Sequence, residues 1–133
     1  APVAAPSLID GRPDLAPPVE AARLDPALLL HHHDRGAGWM GWRAWFAAMG
    51  ATAPPEPRRT EPNYSLLIDL AIAGEGVALG LEALIAPALA RGALVALAPP
   101  VATPGAGYWL LTGPAPSPAT GPIRDALQAI ASG

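Results

Sequence analysis

The chain has no cysteine and no lysine, and only 14% of its 133 residues are charged. The absence of cysteine excludes disulfides and thiolate ligands for a metal. All eight basic residues are arginines, they are scattered along the chain, and the formal net charge is −3. The sequence therefore lacks the basic stripe with which proteins contact the phosphates of nucleic acids.

Long apolar runs are absent as well. No run approaches the roughly 18 residues that a membrane-spanning helix requires, and the first ten residues lack the basic region of a signal peptide. Apolar residues nevertheless make up 51% of the chain, which is enough for the core of one domain. We therefore predict a cytoplasmic protein without a membrane partner. The opening Ala-Pro-Val, without an initiator Met, indicates a piece of a longer protein.

Apolar segments of strand length alternate with helical stripes along the chain. The pattern predicts strands at residues 27–31, 58–61, 76–80, 94–97 and 108–112. It predicts helices at residues 19–24, 39–49, 81–89 and 123–130. A further helix, capped by Asn63 or Ser65, is predicted to run to about Ala73. Strands that alternate with helices indicate an α/β fold, with a mostly parallel sheet flanked by helices. We expect Pro87 to kink or break the helix in which it lies.

An aromatic helix is predicted between a polar loop and Gly50. Trp39, Trp42, Phe46 and Met49 recur there at helical spacing on one face, and the glycine is a helix stop signal. Such a cluster is more often core than a platform for a ligand. Trp39, at the helix start and near the polar loop, is the one that we consider for ligand contact.

The run of three histidines and an aspartate at residues 31–34 is the most conspicuous polar feature. Consecutive strand residues point to opposite faces, so these histidines cannot all converge on one ion without a bend, and we predict no metal site. In doubly wound sheets, ligands bind beyond the carboxyl ends of strands. His32, His33, Asp34 and Arg35 occupy such a position, so we predict that they contact a ligand. The alternative is a solvated loop.

A second polar segment stands at the start of a predicted helix, at Asn63, Tyr64 and Ser65. Backbone amides at a helix start favour anions, and the hydroxyls can hydrogen-bond a carboxylate. Ordinary capping of the helix is an equally good interpretation. Because both polar segments adjoin the same expected edge of the sheet, we predict that they face one cleft.

No catalytic or cofactor-binding constellation is recognisable. Gly76 and Gly80 bracket a predicted strand, but the third glycine of a dinucleotide loop is missing, so we predict no cofactor. The serines lack the setting of a nucleophile elbow, and no histidine–aspartate pairing accompanies them. We therefore predict that the chain is not an enzyme.

The order of these motifs resembles the effector-binding domain of LysR-type transcriptional regulators. NYSLLIDLAIAGEGVALG is similar to the family's helix, Gly-x-Gly and strand unit, and LEALIAPALARGALVAL to the helix and strand that follow it. GYWLLTGP and GPIRDALQAIAS resemble the returning strand and the last helix. LLLHHHDRGAGWMGWRAWFAAMG is most similar to the glycine-cleavage-activator and β-lactamase-regulator branch.

The resemblance implies half of a type-2 periplasmic-binding-protein-like domain. Residues 1–105 would form its second subdomain, and residues 106–133 a returning strand and a helix that pack on a first subdomain absent from this chain. A small polar or anionic effector would bind between the subdomains, beside the 32–35 loop, and modulate transcription. The parent would be a homo-oligomer that binds DNA only through an N-terminal winged helix-turn-helix, which this chain lacks. A solute-binding or transport-associated domain of similar fold is the alternative.

The terminal helix would then lack its usual partner. Its apolar stripe consists of Ile123, Ala126, Leu127 and Ile130. Leaving apolar surface in water costs about 25 cal/mol per Å², and exposed patches usually find another surface. We therefore expect the helix to fold back on its own sheet or to dock on a neighbouring chain, which would give a dimer.

The negative net charge of the chain leads to a prediction about DNA binding. Titrated against duplex DNA at physiological ionic strength, the isolated chain should show no binding, because it offers no cluster of cations to neutralise phosphates. Fluorescence anisotropy measures this directly. An affinity that falls steeply as salt is added would contradict the prediction.

Overall fold

The computed structural model describes residues 1–33, 40–54, 59–102, 118 and 120–131. Strands in this part of the chain are β1 (Pro2–Ala4), β2 (Leu29–His32), β3 (Arg59–Glu61), β4 (Val77–Leu79) and β5 (Val95–Ala96). The α-helices are α1 (Pro6–Asp10), α2 (Trp42–Ala48), α3 (Tyr64–Ile72), α4 (Glu82–Ala90) and α5 (Thr120–Ala131). Short 3₁₀ turns occupy Pro13–Leu15, Ala21–Arg23 and Pro26–Leu28.

The strands form one sheet in the order β3-β2-β4-β1-β5. β2 pairs in parallel with β3 and β4, whereas β1 pairs antiparallel with β4 and β5. The predicted α/β fold is confirmed, but the sheet is mixed and not mostly parallel. The prediction missed this because no strand was predicted at Pro2–Ala4, where three residues are too few to show an alternating pattern.

The sheet divides the core into two halves. Side chains alternate along a strand, so neighbouring residues go to opposite faces. One half, with the aromatic side chains of α2, receives Ala4, Leu29 and Val77. The other half lies under α3 and α4 and receives Val3, Leu30 and Ala78. Each of these three strands therefore supplies one side chain to each half.

Aromatic packing holds α2 against the sheet. Trp42, Trp45 and Phe46 are buried, with ring centroids 5.2–6.1 Å apart. Trp42 Nε1 donates a hydrogen bond of 2.8 Å to the carbonyl oxygen of Leu30, which satisfies its polar atom inside the core. The predicted core role of these tryptophans is confirmed. Met49, predicted on the same face, is 39% exposed because the helix ends at Ala48.

Two predicted elements near the start of the chain were placed wrongly. Residues 27–31 were predicted as a strand, but Pro26–Leu28 forms a 3₁₀ turn and β2 begins only at Leu29. The Asp25 carboxylate accepts a hydrogen bond from the Ala27 amide (2.9 Å), which stabilises the turn. The helix predicted at residues 19–24 is likewise a single 3₁₀ turn, Ala21–Arg23.

The loop between α1 and β2 is tied by one arginine. Arg12 contacts the carboxylates of Asp14 (3.0 Å) and Asp25 (3.3 Å). The side-chain hydrogen bond from Arg12 holds the pKa of Asp14 below its usual value. The pKa of Asp25 is lowered first by the Ala27 amide and then by Arg12. The three side chains are about a third exposed, so these contacts orient the loop more than they stabilise the fold.

The helices on the second face begin and end where local signals predict. The Asn63 side chain accepts a hydrogen bond from the Leu66 amide (3.2 Å) and caps α3. Gly74 follows the helix with φ of 81°, a left-handed conformation that favours glycine. α4 continues through Pro87 to Ala90, so the helix does not break there, and a kink at Pro87 stays a prediction.

The terminal helix α5 presents its apolar stripe to solvent. Ile123, Leu127 and Ile130 are 55%, 47% and 77% exposed. The prediction that this helix folds back on its own sheet was therefore wrong for the isolated chain. The strand predicted at residues 108–112 lies outside the described residues. No helix in the described ranges is both long enough and apolar enough to cross a bilayer.

Close packing at Gly76 gives a prediction about stability. A Cβ at this position would overlap the carbonyl oxygen of Leu28 and lie 2.9 Å from Leu30 Cγ. Gly76→Ala should therefore lower the free energy of unfolding by about 1–3 kcal/mol, as overpacking does. Urea denaturation followed by circular dichroism measures this difference.

The matched control is Gly121→Ala, at the start of α5. A Cβ there meets no atom of the described chain within 4 Å. Alanine favours helix over glycine by about 1 kcal/mol, but Pro122 follows and disfavours a helical residue that carries a Cβ before it. The two effects oppose each other, so this variant should stay within about 1 kcal/mol of the parent. Equal midpoints for the two variants would contradict the packing argument.

Candidate functional site

Three parallel strands end at one edge of the sheet, which we call the strand-end edge. β2 ends at His32, β3 at Glu61 and β4 at Leu79, and the register pairs His32 with Glu61. α3 and α4 begin directly beyond β3 and β4. In open α/β sheets, ligands bind at this position, outside the carboxyl ends of the strands.

The start of β1 and the end of β5 lie at the same edge, because β1 runs antiparallel to both β4 and β5. Gly80, just beyond β4, donates its amide to the carbonyl oxygen of Ala1 (2.8 Å), next to the start of β1. The Leu97 amide, just beyond β5, donates to the carbonyl oxygen of Pro2 (2.9 Å). The chain therefore enters the sheet through β1 and leaves it through β5 at the strand-end edge.

His32 joins the end of β2 to the start of α3. Its Nε2 lies 3.0 Å from the carbonyl oxygen of Pro62, and since a carbonyl only accepts, the hydrogen bond requires the proton on Nε2. The His32 and Tyr64 rings meet edge to face, with centroids 5.7 Å apart. The two polar segments therefore meet at these residues. That they face one cleft stays a prediction.

Tyr64 also reaches the start of α4. Its hydroxyl accepts a hydrogen bond of 2.7 Å from the amide of Leu81, the N-cap residue of that helix. Leucine has no polar side chain with which to cap a helix, so the tyrosine hydroxyl satisfies one of the amides that a helix start leaves open. Tyr64 thereby links the ends of β2 and β4 through α3.

Asn63 and Ser65 differ in their local roles. Asn63 caps α3, and its own amide donates to Glu61 Oε1 (3.0 Å), so the capping interpretation is confirmed for this residue. Ser65 is exposed on the first turn of α3. Contact of either residue with a ligand stays a prediction.

The histidine run divides between the two faces as strand alternation requires. His31 lies on the α2 side, where a Cβ added to Gly41 would be 3.6 Å from its Cε1, whereas His32 lies against α3. His33 is exposed, and its amide donates to the carbonyl oxygen of Glu61 (3.3 Å). Among the residues that the structure describes, no three His, Asp or Glu side chains are grouped to hold a metal ion.

Three predicted site residues, Asp34, Arg35 and Trp39, lie outside the described residues. Their contact with a ligand remains a prediction. Two backbone groups that organise the edge were not predicted at all, namely the carbonyl of Pro62 and the amide of Leu81. Every residue carries such groups, so no signal in the sequence marks these two.

The family model for the LysR substrate binding domain matches residues 2–131. The chain therefore belongs to the LysR substrate-binding domain family, and the resemblance inferred from its motifs is confirmed. A comparison with curated proteins gave no match.

Two solved structures show the same fold. The effector domain of the transcriptional regulator AmpR of Pseudomonas aeruginosa matches with a TM-score of 0.65 and 21% identity, covering 99% of this chain and 61% of that one. The AmpR effector binding domain from Citrobacter freundii matches with a TM-score of 0.62 and 17% identity, covering 98% and 62%. The chain thus spans less than two thirds of either structure, and its fold is of the periplasmic-binding-protein-like α/β type.

The tyrosine link gives the next prediction. Tyr64→Phe keeps the ring against His32 but removes the acceptor for the Leu81 amide. The free energy of unfolding should fall by about 1 kcal/mol, the usual net value of one hydrogen bond. Amide exchange measured by NMR should also become faster at Leu81. Ser7→Ala, an exposed hydroxyl deletion in α1, is the control, and equal exchange at Leu81 in both variants would contradict the link.

Proposed function

We propose that the chain is the effector-sensing part of a LysR-type transcriptional regulator and that the strand-end edge forms one wall of its effector cleft. The observation that carries this proposal is the convergence of His32, Tyr64 and Leu81, from three separate elements, at one edge. β1 begins and β5 ends at the same edge. A subdomain joined through these two strands would face the convergent residues across a cleft. The family match favours this proposal over a solute-binding or transport-associated domain.

The chemistry of the edge favours a polar or anionic effector. The first backbone amides of α3, at Tyr64 and Ser65, have no acceptor within the helix, and they carry the positive end of its dipole. The exposed Ser65 hydroxyl and the Asn63 amide group add further donors beside them. We propose that these groups, with His33 and the 34–35 loop, hold acceptor oxygens such as those of a carboxylate. Trp39 would contribute apolar contact.

Regulation follows if the effector binds one arrangement of the two subdomains better than another. Residues 1–105 would form one wall of the cleft, and residues 106–133 would return to the other subdomain. An effector that bridges the walls shifts the population toward the arrangement that it contacts best, by its difference in affinity for the two. In this proposal the parent protein is a cytoplasmic homo-oligomer without catalytic activity, and it binds DNA through a winged helix-turn-helix outside this chain.

Alanine substitutions at the proposed wall test the function. In the full-length regulator, Ser65→Ala and Arg35→Ala should each raise the effector concentration needed for half-maximal response by about tenfold, because each removes a hydrogen bond to a charged group. A promoter reporter gives the response, after a thermal-shift screen of small carboxylates and amino-acid derivatives has identified the effector. Operator affinity without effector should stay unchanged.

The control variant is Ser7→Ala, which removes an exposed hydroxyl beside Gly74, beyond the C-terminal end of α3 and so away from the wall at its N-terminal end. It should leave the response curve where it is. If both wall variants respond like this control, the assignment of the strand-end edge is wrong. A loss of operator affinity without effector would instead show a general defect of the protein and would also contradict a role confined to sensing.

A further inference from the structure

A groove runs between α3 and α4 on the face of the sheet opposite α2. Its volume is about 250 Å³, and both helices supply its apolar walls. Ile68 and Ile72 line it on α3, and Leu84, Pro87 and Ala88 line it on α4. Pockets for drug-sized ligands have volumes of about 300–1,000 Å³, so this α3–α4 groove suits a smaller molecule.

The two helices run side by side in the same direction. β3 is parallel to β4 through β2, and β5 is parallel to β4 because β1 is antiparallel to both. α3 connects β3 to β4, and α4 connects β4 to β5, so both helices begin at the strand-end edge and run back along the sheet. The hydrogen bond from the Leu81 amide to the Tyr64 hydroxyl joins their first turns. Positions along the two helices can therefore be compared residue by residue.

Two opposite charges line the groove, one from each helix. Asp69 is the sixth residue of α3, and Arg91 directly follows the nine residues of α4. The difference of four positions corresponds to about 6 Å along the helices. Both residues are exposed, and within the part of the chain that the structure describes, neither side chain forms an ion pair or a hydrogen bond. A small ligand that carries both a cation and an anion would complement the two charges.

Pro87 adds an acceptor beside Asp69. A proline has no N–H, so the carbonyl oxygen of Ala83, four residues earlier, lacks its usual donor in the helix. Carbonyls point toward the C-terminal end of a helix, so this oxygen is directed toward Pro87. Pro87 is the sixth residue of α4, as Asp69 is of α3. An ammonium group donates up to three hydrogen bonds and can therefore contact the Asp69 carboxylate and the Ala83 carbonyl together.

We propose that the α3–α4 groove binds a free amino acid with an aliphatic side chain. The ammonium group of the ligand contacts Asp69 and the Ala83 carbonyl, and its carboxylate contacts the Arg91 guanidinium. Its aliphatic chain packs between Ile72 and Leu84, which is 46% exposed in the unoccupied groove. A ligand with only one of the two charges leaves the other side chain of the groove unmatched.

This site is separate from the proposed effector cleft. Tyr64 and Ser65 line the end of the groove that lies at the strand-end edge. Asp69 lies one turn beyond Ser65, and Arg91 lies at the opposite end of the helix pair. The inference therefore goes beyond the proposed function and does not depend on it.

An NMR titration of the chain with L-leucine as the probe tests the proposal. Backbone amide shifts should change at residues 68–72 and 88–91, and should stay constant at His33 and residues 63–65. Three analogues each lack one part of the probe. 4-Methylpentanoate lacks the ammonium group, 3-methylbutylamine lacks the carboxylate, and glycine lacks the aliphatic chain. Each analogue should bind severalfold more weakly than leucine.

Two substitutions identify the charged contacts. Asp69→Asn and Arg91→Gln should each weaken leucine binding severalfold, because each removes one charge from the groove. The matched controls are Asp10→Asn in α1 and Arg43→Gln in α2, which make the same chemical changes at exposed residues that do not line the groove. Both controls should bind leucine as the parent does. Circular dichroism checks that all four variants fold.

The results that would overturn the site are distinct. Constant shifts in the groove up to the solubility limit of leucine would refute it. Equal affinity for leucine and 3-methylbutylamine would refute it too, since the carboxylate would then make no contact with Arg91. An equal loss of binding in the control variants would show a general effect of charge and would also contradict the site. Shifts confined to His33 and residues 63–65 would overturn the groove site while supporting the proposed effector cleft.

Discussion

The register between β2 and β4 decides how the whole core is built. It pairs Leu29 with Val77 and Leu30 with Ala78, so each pair of neighbours faces the same half of the core. A slip of one residue would turn every one of these side chains to the opposite face. The strands have only two to four residues, so a slipped pair would have no other residues with which to restore the lost apolar contacts. The hydrogen bond from Trp42 to the carbonyl of Leu30 joins α2 to this register and resists such a slip.

The candidate site is a consequence of the same register. Because Leu29 and Leu30 are committed to opposite faces, His31 must follow Leu29 to the α2 side and His32 must follow Leu30 to the α3 side. His32 then contacts Pro62 and Tyr64 in the connection between β3 and α3. The burial of Leu29 and Leu30 deeper in the sheet is therefore enough to place the polar side chains at the strand-end edge.

The accuracy of the sequence-based predictions depended on whether the deciding interaction was local. α3 was predicted well because Asn63 and Gly74, which bound it, act within a few residues of themselves. The start of β2 was missed because a hydrogen bond from the Ala27 amide to Asp25 outweighs the apolar pattern of the segment. The direction of β1 depends on pairing with strands more than seventy residues away, and a three-residue segment carries no trace of that pairing.

The same division applies to the site. The proximity of His32 to Tyr64 was predictable, because the position of strand ends in a parallel sheet is a general rule of topology. The interactions that hold these side chains in place were not predictable, because they use the Pro62 carbonyl and the Leu81 amide. Family resemblance identified the domain, but it could not supply these contacts. Only the fold shows which of many equivalent backbone groups meet the polar side chains.

The helix α3 is tied to its neighbours at its first residue. Tyr64 contacts His32 and accepts the hydrogen bond from the Leu81 amide, so the N-terminal ends of α3 and α4 are held together. If the proposed effector displaced the Tyr64 hydroxyl, the Leu81 amide would lose its acceptor and the tie between the two helix starts would be broken. An effector that binds one arrangement of these helix starts better than another would shift the population toward that arrangement.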